Sequence, residues 1–546
     1  MKGKRTYVDV HRKLVATLSF LLCFMLLLAA VPDKRNPRAN TDSRIHLIHS
    51  DVLYKKPVEP RIEFLVGHVK LNHEGVILSC DSAKFYREEN SFDAFGHVVM
   101  TQGDTLKLLC DSLYYDGFEM KARARGQVTL HHNKTKLVTQ HMDYDRMFGV
   151  GMYLDGGTLY DGDNVLVSDW GQYTPAQHEA FFTDNVQLTN PKFVLVSDTL
   201  YYYTNTETAR IMSPTNITSE DGTFVYGERG TYHTKSGMAT LLDRSYIIKD
   251  MRRIIGDSLY SNKEQGFDEA FGHVALNDDE NACMLVGNYC KYFEETGDAF
   301  ATDSAVLMDF STPDTFYIHA DTLRMFTYNL NTDSVYRNFH AYHKVRMYRR
   351  DVQGVCDSLA MLEKDSCTYM HGQPILWNGS QQVFGEEIRV YNNDSTVDSI
   401  YIINQAMTIE QIDSASYNQV SSQKIQNYFL DGEIEHSEAH GNVYVTYFID
   451  EDDGSRIGMN YSESTDMKMF MENKKVVKVW MPAGKCNLYP DLKIPKDRRY
   501  LTGFAWFDYI RPKSKDDLFE WRGKSEKDVL KKSEEKVVPI QSLDNI

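Results

Sequence analysis

Phe92-Asp93-Ala94-Phe95-Gly96-His97-Val98-Val99-Met100, followed by Cys110-Asp111-Ser112-Leu113-Tyr114, is the stretch from which the fold can be read. Its first part is a turn followed by Val-x-apolar. Its second part is a small residue, a polar residue, Ser or Thr, and then an apolar or aromatic pair. The first half recurs at Gly67-His68-Val69-Lys70-Leu71, Gly126-Gln127-Val128-Thr129-Leu130, Gly272-His273-Val274-Ala275-Leu276 and Gly441-Asn442-Val443-Tyr444-Val445. The second recurs at Cys80-Asp81-Ser82, Ser197-Asp198-Thr199-Leu200-Tyr201, Gly256-Asp257-Ser258-Leu259-Tyr260, Ala320-Asp321-Thr322-Leu323 and Cys356-Asp357-Ser358-Leu359. The period is about 30 residues, and strand-like units at a fixed period mark a stacked β architecture, not independent domains.

The residue before the polar slot is small at almost every level: Cys80, Cys110, Ser168, Ser197, Gly227, Gly256, Gly287, Ala320, Cys356 and Gly385. Only a steric constraint repeated at each level selects Cys, Ser, Gly and Ala alike. The pattern predicts a corner where the bent strand leaves no room for a side chain. Alternation supports strands: Val76, Leu78 and Cys80 share one face, as do Val98 and Met100.

Composition narrows the function. The chain has 546 residues, a net charge of −17, 34 Tyr and 12% aromatic residues. The β-branched and aromatic content favours strands, and the negative charge excludes a nucleic-acid partner, which would repel it. Lys2, Lys4, Arg5, Arg12 and Lys13 precede an apolar run, Leu14 to Val31, that Pro32 ends. This predicts export, with the run either cleaved as a signal near Leu28-Ala29-Ala30 or retained as an inner-membrane anchor. Of the cysteines left after export, Cys80 and Cys110 are equivalent residues one unit apart, roughly 9–10 Å across two strand spacings. That is beyond disulfide reach. Cys283/Cys290 and Cys356/Cys367 remain open as pairs.

The predicted organisation is a targeting segment at 1–32, a linker at 33–55, a repeat body at 56–450, a C-terminal cap at 451–512 around Trp480 and Trp506, and a charged tail at 513–546.

The alternation of Gly-His-Val-x-Leu/Met with Cys-Asp-Ser-Leu-Tyr, in settings such as Phe92-Asp93-Ala94-Phe95-Gly96-His97-Val98 and Phe267-Asp268-Glu269-Ala270-Phe271-Gly272-His273-Val274, resembles the OstA/LptA-like family of periplasmic lipopolysaccharide-transport proteins. The resemblance covers about residues 56–450. It implies an all-β fold, an elongated V-shaped antiparallel β-jellyroll (a β-taco) of about 30-residue repeats. It also implies lipopolysaccharide as cargo, carried toward the outer membrane through an apolar groove between two sheets. The partners implied are inner-membrane and outer-membrane transport proteins joined by end-to-end strand pairing, and the compartment is the periplasm. The N-terminal docking edge is expected near Ile62–Leu71. The chain has more repeats than the short bridge proteins of that family.

A groove for acyl chains needs only a continuous apolar wall. The residues expected to line it are Val69, Leu71, Val98, Met100, Val128, Leu130, Val186, Leu188, Val274, Leu276, Val443 and Val445, and each would serve equally as ordinary core. No catalytic residue, cofactor or metal is expected. His68, His97 and His273 are locked to one repeat position, which fits a structural role, and no ligand-spaced partners accompany the other His residues. No Gly-x-Ser-x-Gly elbow or phosphate loop is present. The Asp-Ser/Thr-apolar triplets also match a bacterial O-glycosylation pattern, against which stands their place in the repeat as corner turns. Two rivals to a lipid-transfer bridge remain. One is a non-transporting β-solenoid scaffold or adhesin of the envelope, and the other is a carbohydrate-active β-helix, which would need clustered carboxylates on one ledge.

Overall fold

The structure, a computed structural model, describes residues 43–393, 396–451, 454–472 and 475–524. The expected targeting segment and most of the charged tail therefore lie outside the described residues. What is described is strand after strand in antiparallel pairs, with only short 3-10 turns besides. Among the described residues no helix is long and apolar enough to cross a membrane. The chain divides into two compact units, Met1–Gly162 with Asp169–Gln177, and Asp163–Ser168 with His178–Ile546.

In the first unit the long strands Glu59–His73, Val76–Tyr86, Ser91–Gln102, Leu106–Asp116, Lys121–His132 and Thr135–Asp145 pair each with the next. Each strand is bent in the middle. Phe95 faces Ser112 and Val98 faces Cys110, so Gly96 and His97 together oppose the single Asp111. That is a β-bulge, which bends a strand and raises its twist. Gly96 and His97 both have positive φ, 74° and 43°, a backbone that glycine adopts freely and other residues reluctantly. The Asp81 carboxylate of the neighbouring strand folds over Gly96, where a Cβ would run into it, and accepts a hydrogen bond from His97 Nδ1 at 2.7 Å. The two halves of the repeat are therefore the two sides of one corner. The same His–Asp tie recurs at His68–Asp51, 2.8 Å, and His273–Asp257, 2.7 Å.

The bend gives every strand two arms. Buried side chains run Val76, Leu78, Cys80 and then, after a step of three at the corner, Ala83 and Phe85. Both arms turn their apolar side to the inside of the bend. We call the arm on the Phe85 side arm A and the arm on the Leu78 side arm B. The small slot sits on the inside of the corner, as expected. A Cβ at Gly256 would lie 3.1 Å from Ser258 O and 3.3 Å from the Ala270 methyl.

The second unit repeats the scheme along Glu179–Asn190, Phe193–Tyr203, Ala239–Lys249, Arg252–Asn262, Phe267–Asp278, Cys283–Phe293, Tyr336–Tyr348, Val352–Leu362, Val397–Gln411, Tyr417–Leu430, Glu433–Asp450 and Arg456–Glu472. Some corners are broken by a loop, yet both halves stay on the same partner. Thr208–Ile211 and Thr215–Ser219 both pair with Phe193–Tyr203. Where glycine is missing, pairs such as Asp303-Ser304, His343-Lys344 and Asn404-Gln405 take the two positive φ values.

Three boundaries differ from the sequence reading. Part of the linker forms strands, His46–His49 on arm B and Val52–Lys56 on arm A, both paired to Glu59–His73. The N-terminal edge therefore lies at residues 46–56 and not at Ile62–Leu71, which is an interior strand. These strands are too short and too exposed to register as a repeat unit. Strand pairing also continues past residue 450 to Lys475–Trp480 on arm A and Lys485–Pro490 on arm B. Finally, residues 491–524 neither pair as strands nor behave as one exposed tail. They run back across the outward face of arm B, through contacts given below. The open cysteine pairings resolve as free thiols at all seven described positions.

Candidate functional site

The strand register joins the expected lining residues into rows. In the first unit Leu71, Leu78, Met100, Leu108, Leu130, Leu137 and Leu159 are directly opposite one another in turn. In the second unit a row begins at Leu166 and passes through Leu188, Leu195, Ile217, Val225, Ile247 and Ile254 to Leu276. It continues through Leu285, Leu307, Ile318, Met347, Gly354, Leu376, Val383, Thr408 and Val420 to Val445. No residue in either row carries a charge. Side chains directly opposite on one face form a continuous wall.

The rows differ in closure. In the first unit the row is fully buried, and Leu130 reaches across to arm A, within 3.3 Å of where a Gly151 Cβ would stand. Val69, Leu71, Val98, Met100, Val128 and Leu130 are thus packed core. In the second unit burial along the row is uneven. Leu188 is 0% exposed, Ile254 5% and Leu276 7%, and Ile318 and Met347 stay buried, whereas Leu307, Leu376, Val383, Val420 and Val445 are only half-buried. Val186, Val274 and Val443 stay buried beside the corner. The facing row on arm A, Met325, Phe339, Met361, Val390 and Ile400, is also half-buried. Of these later residues only Val445 was expected from the sequence; the others were missed by sequence reasoning. The signal for them was the register carried forward from Leu276, not any motif.

Polar ties join the tips of the two arms over the closed stretches. His73 Nδ1 on arm B shares a 2.7 Å hydrogen bond with Tyr115 OH on arm A. Arg146 donates to Tyr115 OH at 2.9 Å and to the Glu74 carbonyl at 3.1 Å. Burial, then the Arg146 charge, holds the His73 imidazole below its ordinary pKa, so it stays neutral in this tie. In the second unit Asn164 donates to Tyr202 OH and Thr234 Oγ1, both at 3.0 Å. Lys249 Nζ meets Glu294 at 2.8 Å, Lys263 Nζ meets Ser219 Oγ at 3.0 Å, Arg252 meets Tyr292 OH, and Arg337 meets Asn281 at 2.8 Å.

Over the open stretch the outward face of arm B is covered by residues 494–524. Leu501, Phe507 and Ile510 form a cluster with Trp377, Phe384, Ile409 and Met459. Three buried glutamines on the sheet bind the backbone or a side chain of this strap. Gln419 bonds Arg499 O and Leu501 N, Gln382 bonds Ala505 O and Phe507 N, and Gln353 accepts from Arg511. The Arg346 guanidinium stacks on Trp521. Among the described residues no group of three or more His, Cys, Asp or Glu is arranged to hold a metal. The repeat histidines are engaged by their aspartates.

A two-armed antiparallel β protein with an uncharged apolar row along its inner wall is the class these features define. Residues 42–198 match the family model for OstA-like proteins. Among solved structures it is similar to LptH of Pseudomonas aeruginosa, described as the LptA-homologous periplasmic component of the lipopolysaccharide transport device. The identity is 12% and the TM-score 0.20, over 26% of this chain and 95% of that one. No curated protein matches the sequence.

Proposed function

We propose that the chain is a periplasmic lipid-transfer bridge that carries lipopolysaccharide along the inner wall, its acyl chains against the row from Leu276 to Val445 and the facing Met325–Ile400 row. The observation that carries this reading is the uncharged row of the second unit, half-buried at Leu307 and again from Leu376 to Val445. Acyl chains need contact area and no specific donor, and wall residues left half-exposed gain on the order of 25 cal/mol per Å² when covered. Partner transport proteins are proposed to add strands at the two terminal edges, where unpaired backbone groups are offered without a special sequence. Those edges are His46–His49 with Val52–Lys56, and Lys475–Trp480 with Lys485–Pro490. No catalytic role is proposed. The sealed first unit favours a second reading, a non-transporting envelope scaffold.

A photo-crosslinking residue at Val445 separates the two, with Tyr444, its outward neighbour and 40% exposed, as control. Capture of lipopolysaccharide in living cells at 445 and not at 444 is the expected result. Equal capture at both, or none at either, leaves the scaffold.

A further inference from the structure

Asp268 lies on the inner side of arm A, directly opposite Ser261 and Tyr292 in the sheet. It is 6% exposed, and its Oδ1 has no protein hydrogen-bond partner. It lines a cavity of about 30 Å³ between the arms, with Ile247, Lys249, Arg252 and Ile254 of arm B on the other side. Thr223 Oγ1, also buried and unpartnered, lines the same space. Directly beside it stand the cross-arm ties Lys249–Glu294 and Arg252–Tyr292.

All cations near Asp268 are committed elsewhere. Lys249 meets Glu294 and lies 3.6 Å from Asp221, Lys263 also lies 3.6 Å from Asp221, and Arg252 lies 3.9 Å from Asp278. Glu294 adds a like charge on the same arm. An ionised Asp268 would therefore be a buried carboxylate without an ion-pair partner, a costly state unless water reaches it. A neutral Asp268 carries no such cost.

We propose that Asp268 makes this level of the second unit a pH-sensitive clasp, in which the arms stay joined while the acid is neutral and part when it ionises. The inference concerns the arms alone and stands whatever the inner wall carries. Burial pushes the Asp268 carboxyl up to about 6. The folded chain thus holds a proton there, between the ordinary aspartate value and about 6, that the unfolded chain has released. The stabilisation is fully present below that window and is lost as pH rises through about 6. A rise of about two pKa units limits the change in the closed-to-open ratio to about 100-fold.

The test is hydrogen exchange of the full chain at about pH 5 and about pH 8, expressed as protection relative to the intrinsic rate at each pH. Peptides spanning Ile247–Ile254 are expected to lose about tenfold in protection at the higher pH, within the ~100-fold limit, while peptides spanning Leu108–Leu113 in the first unit do not change. Asp268→Asn should hold the high protection at both pH values. Glu294→Gln, which removes the charge from the Lys249 tie and keeps the acid, should lower protection at both. Wild-type protection that ignores pH, pH dependence that survives Asp268→Asn, or unchanged protection in Glu294→Gln would each overturn the clasp.

Discussion

The row through Met100 in the first unit and the row through Val420 in the second have the same register and nearly the same side chains, but they do different things. The first is shut by its own opposite arm and by ties at the tips, so its leucines are core. The second is half-open inside and instead covered outside, where the strap seals Trp377, Phe384, Ile409 and Met459. An apolar sheet face must be covered by something, because large exposed apolar patches are rare on stable monomers. The first unit spends its apolar surface on closing itself. The late second unit keeps its inner wall available, and the strap supplies the burial it thereby forgoes. Stability and an accessible wall are thus assigned to opposite faces of one sheet.

Removing the strap should break this arrangement most severely. Leu501, Phe507, Ile510 and Leu518 are all buried, and full burial of such side chains is worth about 1.5–3 kcal/mol each, less the cost of ordering the segment. A chain ending at Pro490 is expected to lose about 5 kcal/mol or more in the second unit, seen as a fall of about 6 °C or more in its melting transition. The transition of the first unit should stay in place. If the truncated chain melts like the full one, the strap is an ornament and the late wall is stable by some other means.

A smaller effect compares one residue type in the two settings. Met100 is 1% exposed, and Met361 is half-buried on the open inner side. Met100→Ala should cost about 2–5 kcal/mol through lost contacts and a cavity. Met361→Ala should cost about 1 kcal/mol or less, because little packing is lost at an open position. Denaturant midpoints at unchanged slope measure both. Equal costs would mean that the late arms are as closed as the early ones, and the proposed path for acyl chains would lose its support.

Much of this was legible beforehand, for a physical reason. Gly96-His97 and Asp81 are the two contacting sides of one corner, so a steric need repeated at each level wrote itself into the sequence as a period. The alternation after each corner then fixed Val98 and Met100 as inward. The late lining was not legible, because corners such as Asn404-Gln405 reach positive φ without glycine, and Val383 or Val420 carry no motif. The strap was invisible for a different reason. It is held by Gln353, Gln382 and Gln419, single residues 80 to 158 positions away from their partners, and nothing periodic marks a side chain that binds a distant backbone. The N-terminal edge was misplaced because Val52–Lys56 is short and fully exposed, with none of the buried alternation that identifies an inner strand.

The smallest effect belongs to the corners. In the first unit His97 and Asp81 meet at 2.7 Å, whereas the related pair His343 and Asp357 in the second stands at 3.8 Å, beyond hydrogen-bond reach. The hydrogen bond to Asp81, and then its charge, raises the His97 imidazole above its ordinary value. A base with a raised folded pKa adds stability that is fully present below about 6.5, the unfolded value, and that fades as pH rises through the folded value. Both side chains are exposed, so solvent and salt screen the pair and a melting curve should barely register it. The titration itself is the measurement. In a histidine-selective NMR experiment on the full chain, His97 should titrate above a free-peptide control, and Asp81→Asn should return it to the control value. The fold should survive that change, because the bend is set by the backbone at Gly96 and His97 and not by the ion pair. If His97 keeps its raised value in Asp81→Asn, the two halves of the repeat are not joined through this tie. The period would then express backbone geometry alone.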